Sequence, residues 1–81
     1  MRLDKYLKVS RIIKRRTVAN EACDAGRVFV NGKQARASYD VKEADILELN
    51  LGERTIKAVI LQVSEVVTKE QAADLYRMME E

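Results

Sequence analysis

The sequence has no histidine, no proline and no tryptophan, and it contains one cysteine among 81 residues. Without histidine, the chain lacks the commonest general base and the commonest protein metal ligand. The single Cys23 can form neither an internal disulfide nor a multi-cysteine zinc site. We therefore expect no metal, no other cofactor and no catalytic activity. The lone thiol, with no secretion signal at the amino terminus, predicts a location in the reducing cytoplasm.

Long apolar runs and linker-like segments are also missing. No apolar stretch approaches the roughly 18 residues that span a membrane, so we expect no membrane partner. With no low-complexity segment, residues 1–81 are predicted to form one domain. A chain of this length buries a small core, which favours a binding module over an enzyme with a built cavity.

The positive charge is concentrated in the first half of the chain. Residues 1–36 contain ten Lys or Arg and three acids, a net charge of +7, whereas residues 37–81 carry a net charge of −5. This asymmetry indicates one face that meets a polyanion such as RNA. A merely solvated charged surface, or a scaffold for acidic protein partners, remains an alternative.

Two short helices are predicted at the amino terminus. Leu3, Tyr6 and Leu7 have the i, i+3, i+4 spacing of an apolar helical face. Thr17 can cap a second helix, because its hydroxyl accepts a hydrogen bond from an unpaired backbone N–H. Gly26 stands where a left-handed residue commonly ends a helix. The expected buried stripe of the second helix is Val18, Ala22 and Ala25, widened by Ala19 and Cys23.

Alternating apolar residues then predict strands. Val28 and Val30 share one face of the first strand, with Phe29 on the other. Asn31-Gly32 is a strong hairpin signal, and we expect the turn to need these two residues whether or not they bind a ligand. Further strands are predicted over residues 33–39, 46–51 and 54–63.

A C-terminal helix is predicted to begin after Thr68, where Gln71 completes a capping box. The expected apolar face of this helix is Ala72, Leu75, Tyr76 and Met79. The predicted fold class is α+β, with two short N-terminal helices packed on a small, mostly antiparallel sheet and a helix at the C-terminus.

The first 47 residues resemble a known RNA-binding family. The segments "RLDKYL" and "KRRTVANEACDAGRVFVNGK" are similar to the alpha-L RNA-binding motif of ribosomal small-subunit protein four. That motif is shared with pseudouridine synthases, bacterial tyrosyl-tRNA synthetases and the heat-shock ribosome-recycling protein. The family usually has Gly-Asp before the third strand, where this chain has Ala44-Asp45.

The resemblance continues through residues 48–81. The segment "ERTIKAVILQVSEVVTKEQAADLYRMMEE" is similar to the extension of the recycling protein, and the short form resembles the stalled-ribosome quality-control factors of Gram-positive bacteria. The resemblance implies a monomer that binds 23S rRNA of the large ribosomal subunit and P-site peptidyl-tRNA. A partner protein would meanwhile add an alanine tail to the stalled chain.

The candidate RNA-binding residues are mostly cations of the basic half. Lys and Arg neutralise phosphates and release counterions, and the N-terminus of a helix also favours an anion. The forked guanidinium groups of Arg15 and Arg16 match phosphate oxygens in pairs. Few aromatic residues are present to stack successive single-stranded bases, which favours structured RNA as the partner. The candidates are Arg16, Arg2, Arg15, Lys14, Arg11, Lys5, Asp4, Arg27, Lys33 and Arg36, where Asp4 would orient an arginine or accept from a base or 2′-OH.

Three other functions compete with this interpretation. A ribosome-recycling or large-subunit assembly factor would use the same basic face. An RNA-modifying enzyme needs a catalytic domain, for which the chain has no room. A helix-turn-helix DNA-binding protein would need base-reading side chains on the second helix, whose first turn offers only Asn20 and Glu21.

Overall fold

The computed structural model describes residues 1–65 and 68–79, and it has the predicted α+β architecture. In chain order the elements are α1 (Leu3–Val9), α2 (Arg16–Asp24), β1 (Val28–Val30), β2 (Lys33–Gln34), β3 (Ile46–Leu51), β4 (Arg54–Ile60), α3 (Lys69–Ala72), a 3₁₀ turn (Ala73–Leu75) and β5 (Tyr76–Met78). The strands form one sheet in the order β2-β1-β3-β4-β5, and each neighbouring pair is antiparallel.

The core lies between this sheet and the two N-terminal helices. Val28 pairs with Leu49 and Val30 pairs with Leu47, and all four side chains are buried. Since successive strand residues point to opposite faces, Phe29 lies on the other face, as predicted.

One hydrogen bond joins the first helix to the C-terminal segment. Tyr6 is fully buried in the apolar face of α1, with Leu3 and Leu7, as predicted from their spacing. Its hydroxyl donates to the backbone carbonyl of Leu75 at 2.7 Å, so the buried phenol is satisfied. This bond attaches α1 to the end of the chain that the structure describes.

The start of α2 differs from the prediction, because Thr17 does not cap it. Arg15 is the N-cap residue, and its carbonyl accepts the first helical bond from the N–H of Ala19 at 3.1 Å. Thr17 is therefore already inside the first turn. Gly26 ends the helical segment at φ +75°, as expected for a left-handed residue.

The buried stripe of α2 is also rotated from the predicted one. Ala19, Ala22 and Cys23 are buried, whereas Val18 is 47% exposed and Ala25 is exposed. Neighbouring helix residues lie about 100° apart, so a face centred between Ala19 and Cys23 turns Val18 towards solvent. The position of α1 decides which of these overlapping stripes is buried.

The predicted hairpin turn is confirmed at Asn31 and Gly32, which have φ values of +53° and +83°. The Asn31 side chain has a structural role: its Nδ2 donates to Asp45 Oδ1 at 3.0 Å, and its Oδ1 accepts from the backbone N–H of Ile46 at 3.0 Å. Asp45 is buried and also accepts from the hydroxyl of Tyr39 at 3.1 Å. The turn is thereby attached to the start of β3.

The second and fourth strands are shorter than predicted. β2 contains Lys33 and Gln34 alone, because the chain then leaves the sheet and returns to α1. The N–H of Leu3 donates to the carbonyl of Tyr39 at 2.7 Å, and the N–H of Asp4 donates to that of Ala37 at 3.2 Å. These carbonyls satisfy the first backbone donors of α1. β4 ends at Ile60 rather than at residue 63.

The predicted C-terminal helix begins correctly and ends early. Thr68 and Gln71 form the expected capping box, with hydrogen bonds of 3.1 and 3.2 Å, and Ala72 and Leu75 are buried. Tyr76 and Met79 do not lie on a helical face: Tyr76 begins β5, and Met79, which follows it, is 40% exposed. Pairing of β5 with the free edge of β4 replaces the expected last helical turns.

Candidate nucleic-acid interface

A hydrogen-bonded polar site lies where the first turns of α1 and α2 meet, and its centre is the carboxylate of Asp4. This carboxylate accepts from Arg2 Nε at 3.1 Å, from Asn20 Nδ2 at 3.2 Å and from the backbone N–H of Lys5 at 2.8 Å. Arg16 completes the set, with Nε 3.5 Å from Oδ2 and Nη2 3.5 Å from Oδ1. We call Arg2, Asp4, Arg16 and Asn20 the Asp4 cluster.

The cluster is buried at its centre and open at its edges. The Asp4 side chain is 3% exposed, whereas those of Arg2 and Arg16 are 50% and 47% exposed. Arg2 places a second nitrogen, Nη2, 3.4 Å from Asp4, so one side of its guanidinium fork is engaged. Each guanidinium retains further N–H donors for a ligand.

The environment of Asp4 keeps its carboxylate charged. Burial raises the pKa of this carboxyl, but hydrogen bonds from Arg2, Asn20 and Arg16 outweigh that effect and hold the pKa at about 2. Because two arginines share one carboxylate, the cluster has a net positive charge. Asp4 is thus the residue that orients the two arginines, which is one of the roles expected for it.

The beginning of α2 adds backbone donors beside the cluster. No side chain caps this helix and its first turn contains no acid, so its first N–H groups are not neutralised within the helix. The positive end of the helix dipole and Arg16 therefore face the same region. This arrangement is suited to an anion such as a phosphate group.

The other predicted cations are distributed around the cluster rather than joined to it. Arg11, Lys14 and Arg15 are exposed in and after the connection between α1 and α2, and Arg11 has a left-handed backbone at φ +63°. Lys5 is half-buried, and its Nζ lies 3.2 Å from Oε1 of Glu65, so an acid already engages it.

The cations around the β1–β2 hairpin form a second group, apart from the cations at the helix connection. Arg27, Lys33 and Arg36 are all exposed. Lys33 and Arg36 line one cavity of about 530 Å³ beside Tyr39, and Arg36 also lines a second groove together with Arg2. Arg36 is therefore the hairpin cation that connects with the Asp4 cluster.

Asn20 belongs to the site, but its contact with Asp4 was not predicted from the sequence. Its position four residues after Arg16 places both side chains on one face of α2. That spacing was the available signal, although it could not identify Asp4 as the shared partner.

In the described part of the chain, no group of three or more Cys, Asp or Glu side chains is arranged to hold a metal ion. Nor does any helix among residues 1–65 and 68–79 have the length and apolar character to cross a membrane.

Comparison with known proteins identifies the family of the chain. The family model described as S4 domain matches residues 1–47. Two proteins named RQC P-site tRNA stabilizing factor are similar over all 81 residues: that of Bacillus subtilis is 47% identical, with 94% of its length covered, and that of Halalkalibacterium halodurans is 51% identical, with 92% covered.

A solved structure supports the same assignment. The trimeric structure of Vibrio cholerae Heat Shock Protein 15 has a TM-score of 0.89 and is 30% identical, with 98% of this chain and 81% of that chain covered. This chain, which carries the Asp4 cluster at the start of its two short helices, therefore belongs to the S4 domain family of RNA-binding proteins, alongside the RQC P-site tRNA stabilizing factors.

Proposed function

We propose that this protein is a non-catalytic translation factor that binds 23S rRNA and P-site tRNA on stalled large ribosomal subunits. The observation that carries the proposal is the 47–51% identity, over the whole chain, to proteins named RQC P-site tRNA stabilizing factor. In this role it supports ribosome-associated quality control, in which a partner protein extends the stalled chain with a C-terminal alanine tail.

The proposed mechanism is electrostatic positioning of RNA. Asp4 holds Arg2 and Arg16 in place before RNA arrives, so less side-chain entropy is lost on binding. The exposed donors of both guanidinium groups and the uncapped start of α2 then engage phosphate oxygens. Such contacts position structured RNA without reading a long sequence.

The remaining candidate residues extend this surface in the proposal. They would add phosphate contacts on either side of the cluster, and these residues are Arg11, Lys14, Arg15, Arg27, Lys33 and Arg36. Lys5 would have to exchange its contact with Glu65 for RNA. The protein would act as a monomer in the cytoplasm, and its part in alanine tailing would be to keep the tRNA in the P site while the partner supplies the chemistry.

A second candidate function uses the same surface. The similarity to Vibrio cholerae Heat Shock Protein 15, with a TM-score of 0.89, favours a ribosome-recycling or heat-shock factor. An assembly factor of the large subunit is a related alternative. These roles differ from the quality-control role in the ribosomal particle that the protein would bind, whereas the RNA-binding residues would be the same.

The first test separates the quality-control role from the assembly role by the state of the ribosomal particle. Purified protein is mixed with large subunits that carry peptidyl-tRNA and with empty large subunits, and each mixture is sedimented through a sucrose gradient. We expect stronger co-migration with the subunits that carry peptidyl-tRNA, and crosslinks from Arg2 or Arg16 to rRNA and tRNA. Equal binding to empty subunits would favour the assembly role.

A cellular measurement completes the test. Deletion of the protein is expected to reduce alanine tails on chains from stalled ribosomes, and wild-type protein should restore them. Arg16→Ala should not restore them, whereas Arg54→Ala, which changes an exposed cation of β4, should do so. Unchanged tails in the deletion strain would exclude the quality-control role.

A further inference from the structure

A polar groove of about 590 Å³ lies between α2 and the segment that follows β2. Its volume is within the range of about 300–1,000 Å³ that is typical of small-ligand sites. Arg2 of the Asp4 cluster and Arg36 both line it. Because Arg2 belongs to the cluster and to the groove, the two sites are continuous.

The buried residues that line the groove are small and apolar. Cys23, Ala35 and Ala37 are all buried and form part of its lining. Small apolar side chains leave room for a flat ring, and contact with the ring removes apolar surface from water. The groove therefore combines cations with a surface against which a base can pack.

Two amides of the groove have their nitrogen atoms already engaged. Asn20 Nδ2 donates to Asp4 at 3.2 Å, and Gln34 Nε2 donates to the carbonyl of Gly26 at 3.1 Å. In both cases the amide oxygen remains available as an acceptor. Each –NH₂ group also keeps a second N–H, so Asn20 and Gln34 each offer the groove one acceptor and one donor.

Asp24 adds a third acceptor in an unfavourable local position. It stands in the last turn of α2, where no basic residue is present and where the negative end of the helix dipole disfavours an acid. Within the described part of the chain, its carboxylate takes part in neither an ion pair nor a side-chain hydrogen bond. Asp24 is exposed, so its unpaired carboxylate is accessible to a ligand with two neighbouring donors.

We infer that this groove binds one unpaired guanine of structured RNA. The inference rests on the proposed RNA-binding function and specifies which base the surface recognises. The Watson–Crick edge of guanine presents N1–H and N2–H₂ side by side, so the Asp24 carboxylate can accept from both. Adenine, cytosine and uracil each place an acceptor next to their donor on that edge. The flanking phosphates would meet Arg2 and Arg36, as unpaired bases in RNA are recognised by their edges and backbone together.

The experiment is an amide-resolved NMR titration of the full chain with the four nucleoside 5′-monophosphates. Guanosine monophosphate should shift the resonances of Gly26, Gln34 and Ser38, and should bind about tenfold more tightly than the other three, as for a good bidentate base contact. Asp24→Asn should remove this preference, while Glu53→Gln, in the exposed turn between β3 and β4, should retain it.

A second arm distinguishes RNA from a free nucleotide as the source of the guanine. An RNA hairpin with one bulged guanine should bind more tightly than guanosine monophosphate, because its phosphates engage additional cations. Tighter binding of the free nucleotide would overturn the assignment to RNA. Equal binding of all four monophosphates, no shift in the groove, or a guanine preference that persists in Asp24→Asn would overturn the guanine site.

The same samples separate this inference from the proposed function. Wild-type protein that co-migrates with large subunits but shows no guanine preference would overturn the groove assignment alone. Protein that binds guanosine monophosphate in the groove but fails to co-migrate with any ribosomal particle would instead overturn the proposed function.

Discussion

The Nε atom of Arg16 lies 3.5 Å from Oδ2 of Asp4, so the first residue of α2 is connected to the first turn of α1. The same carboxylate holds Arg2, which is the N-cap residue of α1. A buried acid therefore sets the spacing of two exposed cations on different helices.

Replacement of Arg16 should weaken RNA binding in a salt-dependent way. We expect Arg16→Ala to lower the affinity for large ribosomal subunits about tenfold, and to reduce the slope of log K against log salt by about 1, because one phosphate contact is lost. Arg16→Lys should keep the slope but recover part of the affinity, since lysine lacks the guanidinium fork. Sedimentation binding over a series of salt concentrations measures both values, and an unchanged slope in Arg16→Ala would remove Arg16 from the phosphate contacts.

Asp4→Asn should weaken binding although it removes a negative charge from the surface. The amide cannot hold two guanidinium groups, so both arginines become mobile and lose entropy when RNA orders them. At high salt, where long-range attraction is screened, we expect about a fivefold loss of affinity. Tighter binding of Asp4→Asn under these conditions would mean that the acid merely opposes RNA.

The stability contributed by Asp4 should disappear in acid. Its folded-state pKa of about 2 is below the ordinary value of 3.8, so the contribution is complete above pH 3.8 and is lost as the pH falls towards 2. The shift corresponds to about 2 kcal/mol of unfolding free energy. Urea unfolding of wild type and Asp4→Asn between pH 6 and pH 2 should show their difference shrinking by this amount, whereas a constant difference would contradict the linkage.

Ala44→Gly should stabilise the protein. Ala44 has φ +73°, a left-handed conformation that costs a residue with a Cβ about 1–2 kcal/mol and costs glycine almost nothing. Glycine also gains entropy in the unfolded chain, so the expected net gain is about 0.5–1 kcal/mol. Thermal unfolding of the variant beside wild type measures it, and a lower melting temperature would show that the methyl group of Ala44 contributes to packing.

Two glycines with the same backbone conformation should differ in their tolerance of alanine. A Cβ at Gly26 would clash with Nε2 of Gln34, whereas a Cβ at Gly52 would have no atom within 4 Å. Both substitutions force a left-handed alanine and should cost about 1 kcal/mol. Gly26→Ala should in addition displace the Gln34 amide from the groove, which its NMR resonance would report. An unmoved Gln34 in the variant would contradict the close approach.

The local elements could be predicted because their signals are short-range. The spacing of Leu3, Tyr6 and Leu7, the Asn31-Gly32 turn and the Thr68–Gln71 capping box each specify a few neighbouring residues. All three features are present in the structure. Their agreement accounts for the correct fold class.

The errors came from partners distant in sequence. Tyr76 continues an apolar helical pattern, but the free edge of β4 pairs with its backbone, and no local signal describes that edge. Val18 and Ala19 compete for the buried side of α2, and the position of α1 decides between them. The contact between Asn20 and Asp4 spans 16 residues for the same reason.

The two outermost strands of the sheet are short. The outermost strands β2 and β5 have two and three residues, whereas the interior strands β1, β3 and β4 have three, six and seven. An outermost strand offers unpaired backbone groups to any neighbouring chain, and a short one offers few. The outermost strands therefore present few unpaired backbone groups of their own to a second molecule, which disfavours intermolecular β-pairing through β2 or β5.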